Sequence, residues 1–149
     1  MSNRALLSAA AVAATLGAFA PSATAAITVG DNIAGAKPGM SFAQVKKTWG
    51  KPSDVNRSGG KLVDALWGKR KLEAMFSYGK TTVHTVSTHS PKQVTAEGVH
   101  VGSTAAAVQA AYPTADCTAR SCFLFVEDGI STGFNFTHGK VDSIALVGP

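Results

Sequence analysis

Two segments of this chain align with each other without a gap, and that internal similarity limits the possible folds more than any other feature. Gly39-Met40-Ser41-Phe42-Ala43-Gln44-Val45-Lys46-Lys47-Thr48-Trp49 falls on Gly102-Ser103-Thr104-Ala105-Ala106-Ala107-Val108-Gln109-Ala110-Ala111-Tyr112, with the glycine, Ala43/Ala106, Val45/Val108 and the terminal aromatic in register. Each segment leads to two β-like runs separated by a Gly-Lys turn, Gly79-Lys80 in the first and Gly139-Lys140 in the second. The pattern reads as a tandem duplication, with residues 26–94 as one unit and 95–149 as the other. A lone unit of that size buries so little surface that its stability is marginal, so the two are expected to pack as one body.

The local signals within each unit are those of a helix followed by strands. Ser41 and Gln44 form a capping box ahead of Phe42, Val45 and Trp49 at helical spacing, and Gly50 and Pro52 stop the helix. Thr104 takes the cap position in the second unit, Val108 and Tyr112 carry the apolar face, and Pro113 ends the helix. Strands are expected at 62–67, 72–78 and 81–88, then at 122–127, 130–137 and 141–147, with Gly-bearing turns between them. The predicted fold class is α+β: two tandem repeats, each a helix followed by an antiparallel three-stranded meander. His89 to His100 is read as the connector, and Ile27 to Pro38 as extended. A sheet covered by helices on one face leaves the other face open for binding.

Pro38-Gly39-Met40-Ser41-Phe42-Ala43-Gln44-Val45, closed at Trp49-Gly50-Lys51-Pro52, resembles the opening of the SmpA/OmlA (BamE-like) domain, a G-M-[ST]-x-x-x-V helix ended by a G-x-P turn. Two such units in one exported chain are similar in architecture to the β-lactamase inhibitory proteins. The resemblance implies a non-enzymatic protein binder, an inhibitor or a cell-envelope assembly factor. The inhibitors place an acidic residue of a first-repeat hairpin in the enzyme's active site. The corresponding turn here, Gly68-Lys69-Arg70-Lys71, is basic.

Residues 1–25 read as a cleaved signal peptide. Arg4 supplies the positive start, a small-residue apolar stretch follows, and Ala23-Thr24-Ala25 is an A-x-A cleavage site. No stable membrane span is expected after cleavage, because the stretch is alanine-rich and broken by Thr15 and Gly17. The chain is therefore expected to be secreted or extracytoplasmic. Export places Cys117 and Cys122, the only two cysteines, where a disulfide between them persists and clamps a hairpin. Their C-x4-C spacing fits neither a zinc site nor a redox C-x-x-C pair.

The formal charge of the whole chain is +5, unevenly spread. From Ile27 to Val94 eleven Lys and Arg face only Asp31, Asp54, Asp64 and Glu73, whereas acidic residues predominate from Thr95 onward. The basic half favours a protein or an anionic cell-envelope component as partner. Nucleic acid is not expected, since the chain carries no recognised nucleic-acid module and its acidic half would be repelled by phosphate. The candidate binding residues are Trp67, Lys69, Arg70 and Lys71, an aromatic beside three cations at a turn.

No catalytic residues, cofactor or metal are expected. Ser58-Gly59-Gly60-Lys61 matches the serine acyl-enzyme S-x-x-K motif without its S-D-N and K-T-G companions. Gly79-Lys80-Thr81 imitates the end of a phosphate-binding loop but has Ala74 where the earlier glycine belongs, and strands follow it. His84 and His89, five apart on a strand, point to opposite faces. A small cell-envelope hydrolase is the alternative function.

Overall fold

A computed structural model describes residues 26–126 and 129–149. The expected signal peptide, residues 1–25, and Asp128 of the expected Asp128-Gly129 turn lie outside the described residues.

Both helix starts form as the sequence dictates. The Ser41 hydroxyl accepts from the Gln44 backbone N–H, and the Gln44 side chain accepts from the Ser41 N–H at 2.7 Å, which opens α1 (Phe42–Trp49). Thr104 accepts from the Ala107 N–H at 3.1 Å and opens α2 (Ala105–Ala111). Gly50, at φ 83° and ψ −164°, ends α1 in a positive-φ conformation that glycine adopts at little steric cost.

Among the described residues, ten strands and a short 3-10 turn (Gly68–Arg70) account for the rest of the regular structure. β1 (Ile27–Thr28) and β2 (Asn32–Ile33) pair as a small hairpin. The others are β3 (Asp54–Ser58), β4 (Lys61–Trp67), β5 (Leu72–Phe76), β6 (Val83–Thr88), β7 (Asp116–Cys117), β8 (Ser121–Phe125), β9 (Ser131–Thr137) and β10 (Lys140–Val147). They form one antiparallel eight-stranded sheet in the order β3-β4-β5-β6-β10-β9-β8-β7. β6 and β10 pair through Thr88↔Ile144 and Val86↔Leu146, joining the first four strands to the last four.

The helix-side face holds the core. Leu72, Ala74, Val86, Ile144, Leu146 and Phe134 are buried there with Val45 and Trp49 of α1 and Val108 of α2. Phe42 meets Phe76 edge to face at 5.5 Å, and Tyr112, just past α2, stacks on Phe134 at 5.4 Å. The N-terminal hairpin covers the same side: Gly30 N–H donates to the buried Thr132 hydroxyl at 2.9 Å, and Ile27 bridges Thr95 of the connector.

Two of the sequence expectations are corrected here. The chain does not form two α+β units of a helix and a three-stranded meander. It forms one mostly-β body in which a continuous eight-stranded sheet carries two short helices and a separate two-stranded sheet. Within the eight-stranded sheet, the strands that went unread are the two edges, and the segment read as extended pairs with itself as β1 and β2. β3, Asp-Val-Asn-Arg-Ser, is exposed apart from a half-buried Val55, and β7 has only two residues, so neither shows apolar alternation. Gly59 and Gly60 form the two-residue β3–β4 turn with φ of 56° and 76°, the doubly positive geometry of a tight hairpin.

Candidate functional site

The three cations singled out in the sequence lie on a short 3-10 turn, Gly68–Arg70, and on Lys71, whose φ of 54° turns the chain into β5. The structure adds a second wall. Lys69, Arg70 and Lys71 line a cleft of about 480 Å³ together with Ser90, Pro91, Lys92 and Gln93 of the connector. Four residues of one charge sign line this cleft, and among the described residues no carboxylate lines it. Among the described residues the ion pairs within 4 Å are Lys37–Asp31 and, when its imidazole is protonated, His89–Asp142, so none of the four cations is neutralised by a neighbour.

Backbone bonds hold the two walls together. His89 N–H donates to Lys71 O at 2.9 Å, and the Thr88 hydroxyl donates to the same carbonyl at 3.3 Å. Ser90 N–H donates to the Thr88 hydroxyl, and Lys92 N–H to the Ser90 hydroxyl. Arg70 Nη1 donates to Trp49 O at 3.0 Å, which places a guanidinium against the carbonyl end of α1 where the helix dipole favours a cation. Lys92, Ser90 and Gln93 were missed in the sequence because the connector has no periodicity and meets the 68–71 turn only through tertiary contact.

Trp67 does not sit in the cleft. It is 3% exposed, packs edge to face on Trp49, and donates its Nε1–H to Gly50 O at 2.9 Å. The indole is part of the packing beneath the turn, and its neighbours Gly68 to Lys71 carry the exposed chemistry.

The other sheet face carries a different surface. Strand alternation places Leu66, Glu73, Ser87, Ala145, Gly133 and Phe123 in one row across the sheet, and Asp64, Met75, Thr85, Val147, Ser131 and Phe125 in the next. The middle of this face is small side chains, while Met75 is 45% and Phe125 73% exposed. Phe123 and Phe125 stack at 6.4 Å. A Cβ at Gly133 would stand 2.9 Å from the Phe123 ring, so a larger residue there would displace that ring. Asp54, Asp64 and Glu73 all lie on this face.

The remaining motifs resolve into structure. Ser58 and Lys61 are the paired residues flanking the Gly59-Gly60 turn, and Lys61 Nζ lies 4.3 Å from the Tyr78 ring centroid. Gly79-Lys80 is the turn before β6. Cys117 and Cys122 form the expected disulfide, across the register pair that joins the edge strand β7 to β8. Among the described residues no group of three His, Cys, Asp or Glu is placed to hold a metal ion, and no helix is long and apolar enough to cross a membrane.

The fold is similar to that of an extracellular protein containing an SCP domain from Bacillus anthracis strain Ames, with a TM-score of 0.58 and 12% identity. The likeness covers 75% of this chain and 44% of that one, so the chain spans less than half the length of that protein. At this identity the likeness shows the fold alone. No family model matches the chain, and no curated protein matches it. The expected membership among tandem SmpA/OmlA (BamE-like) proteins and the architecture of the β-lactamase inhibitory proteins are therefore corrected. The short G-M-S-x-x-x-V and G-x-P strings encode a capped helix and its stop, a local solution that does not specify a fold. A secreted or extracytoplasmic location accords with the disulfide and with the extracellular neighbour.

Proposed function

We propose that the chain is an extracytoplasmic, non-enzymatic binding module that seats a protein partner on its open sheet face and uses the basic turn at 69–71 for an anionic component. The observation that carries this reading is the asymmetry of the sheet. Helices, N-terminal hairpin and connector lie on one face, and the other presents Met75, Phe123 and Phe125 around a floor of small residues. Exposed apolar residues gathered on one surface mark interaction sites, and aromatic side chains supply most of the energy in such contacts. The partner's identity decides between the finer roles of inhibitor and cell-envelope assembly factor.

The test is capture from culture supernatant and envelope extract by the wild-type chain and by a Met75→Ser/Phe125→Ser variant. A protein held by the wild type, and bound about tenfold or more weakly by the variant at unchanged thermal stability, supports the reading. Equal capture by both moves the interface off the sheet.

A further inference from the structure

The cleft between the 68–71 turn and the connector has features that a merely basic surface lacks. Its walls are tied by the Lys71–His89 and Thr88–Ser90 bonds, so the cations stand on a fixed backbone frame. Arg70 keeps one nitrogen on Trp49 O, which orients the guanidinium and leaves its other donors for a ligand. Gln93 lines the same cleft, and its side-chain Oε1 is buried without a hydrogen-bond partner. A buried acceptor left unpaired is costly, and rotation of the Gln93 side chain into the cleft, where a ligand donor meets its Oε1, removes the cost.

These features ask for two kinds of group in one ligand. The cations arrive from two walls, Lys69, Arg70 and Lys71 on one side and Lys92 on the other. A tetrahedral phosphate offers oxygens in several directions, whereas a carboxylate offers two in one plane, so phosphate uses this donor set more fully. Gln93 Oε1 adds a demand for a hydroxyl or N–H beside the anion. We propose that the cleft binds a phosphorylated polyol, with Lys69, Arg70, Lys71 and Lys92 around the phosphate and the Gln93 side chain, turned into the cleft, accepting at Oε1 from a neighbouring hydroxyl. The volume of about 480 Å³ lies in the range of small-ligand sites. The inference rests on the binding-module reading and names the chemistry of its anionic ligand.

The experiment titrates the exported protein with glycerol phosphate, inorganic phosphate and acetate, following backbone amide shifts by NMR. Glycerol phosphate should shift amides within 68–71 and 90–93 saturably, and bind more tightly than the other two. Lys69→Gln/Lys92→Gln should weaken it by about tenfold or more at unchanged melting temperature. Gln93→Leu, similar in size, should weaken glycerol phosphate and leave inorganic phosphate unaltered. Unchanged glycerol phosphate affinity in the double lysine variant overturns the site. Equal affinity for acetate, or no effect of Gln93→Leu, overturns the ligand class.

Sedimentation with phosphatidylglycerol vesicles, run beside a soluble glycerol phosphate polymer, separates the two sources of this chemistry. Binding to vesicles alone makes the ligand a lipid headgroup, binding to the polymer makes it a soluble chain, and glycerol phosphate binding with neither makes it a free small phosphorylated polyol. Met75→Ser/Phe125→Ser should leave every one of these titrations unchanged, so failure at the cleft and failure at the sheet face are read separately.

Discussion

Trp49 and Trp67 meet edge to face, with ring centroids 5.0 Å apart and planes at 82°. Each indole also donates to backbone: Trp49 Nε1–H to Ile33 O and Ala34 O, Trp67 Nε1–H to Gly50 O. One helix residue and one strand residue thereby tie together the N-terminal hairpin, the end of α1 and the floor under the basic turn. The charged turn is exposed, and the aromatic beside it is buried against Trp49.

Trp67→Ala should therefore cost about 3–5 kcal/mol of stability, the range for removing a large buried aromatic. Lys69→Gln, an exposed change, should stay within about 0.5 kcal/mol. Urea denaturation of the two variants gives the comparison. A Trp67→Ala protein as stable as the wild type would return this residue to the list of surface anchors.

Reduction of Cys117–Cys122 should lower stability by about 2 kcal/mol, because the closed loop is short and the chain-entropy gain is correspondingly small. Non-reducing peptide mapping checks the linkage, and thermal denaturation with and without reductant checks the size of the effect. The loosening should concentrate at the β7–β8 edge, where hydrogen exchange of Cys117 and Cys122 reports it.

Tyr112 and Glu97 share a hydrogen bond in which the phenol donates to the carboxylate. Burial, then the Glu97 bond, raises the Tyr112 pKa above the ordinary tyrosine value, so the folded state favours the neutral phenol. That contribution is complete below pH 10 and is lost as pH rises above it. The bond from Tyr112 lowers the Glu97 pKa, and its contribution is present above the ordinary pKa of 4.5 and lost as pH falls below it. Tyr112→Phe should flatten both limbs of the melting-temperature profile relative to wild type. Parallel profiles for the two proteins would show that the pair has no part in the pH dependence.

Several features were legible in the sequence because short-range chemistry decides them. Ser41 with Gln44 and Thr104 with Ala107 cap their helices through bonds three residues apart. Gly79 and Gly139 adopt positive φ at turns where an L side chain is strained. The disulfide followed from a count of two cysteines and an exported chain. Trp49 was legible as core because it lies on the helical face that carries Val45.

Tertiary structure decided what those signals leave open. Pairing of Thr88 with Ile144 turns two runs of strands into one sheet, and no local motif encodes a partner so distant in sequence. β3 is a strand because β4 offers it a hydrogen-bonding edge, although its polar composition reads as loop. Trp67 is inside because Trp49 and Gly50 approach it from a helix end 17 residues away. Lys92 and Gln93 reach the basic turn only when the connector folds back beside Lys71. Caps and turns are fixed by neighbours along the chain. Registers and clefts are fixed by which surfaces bury one another, a property of the whole fold.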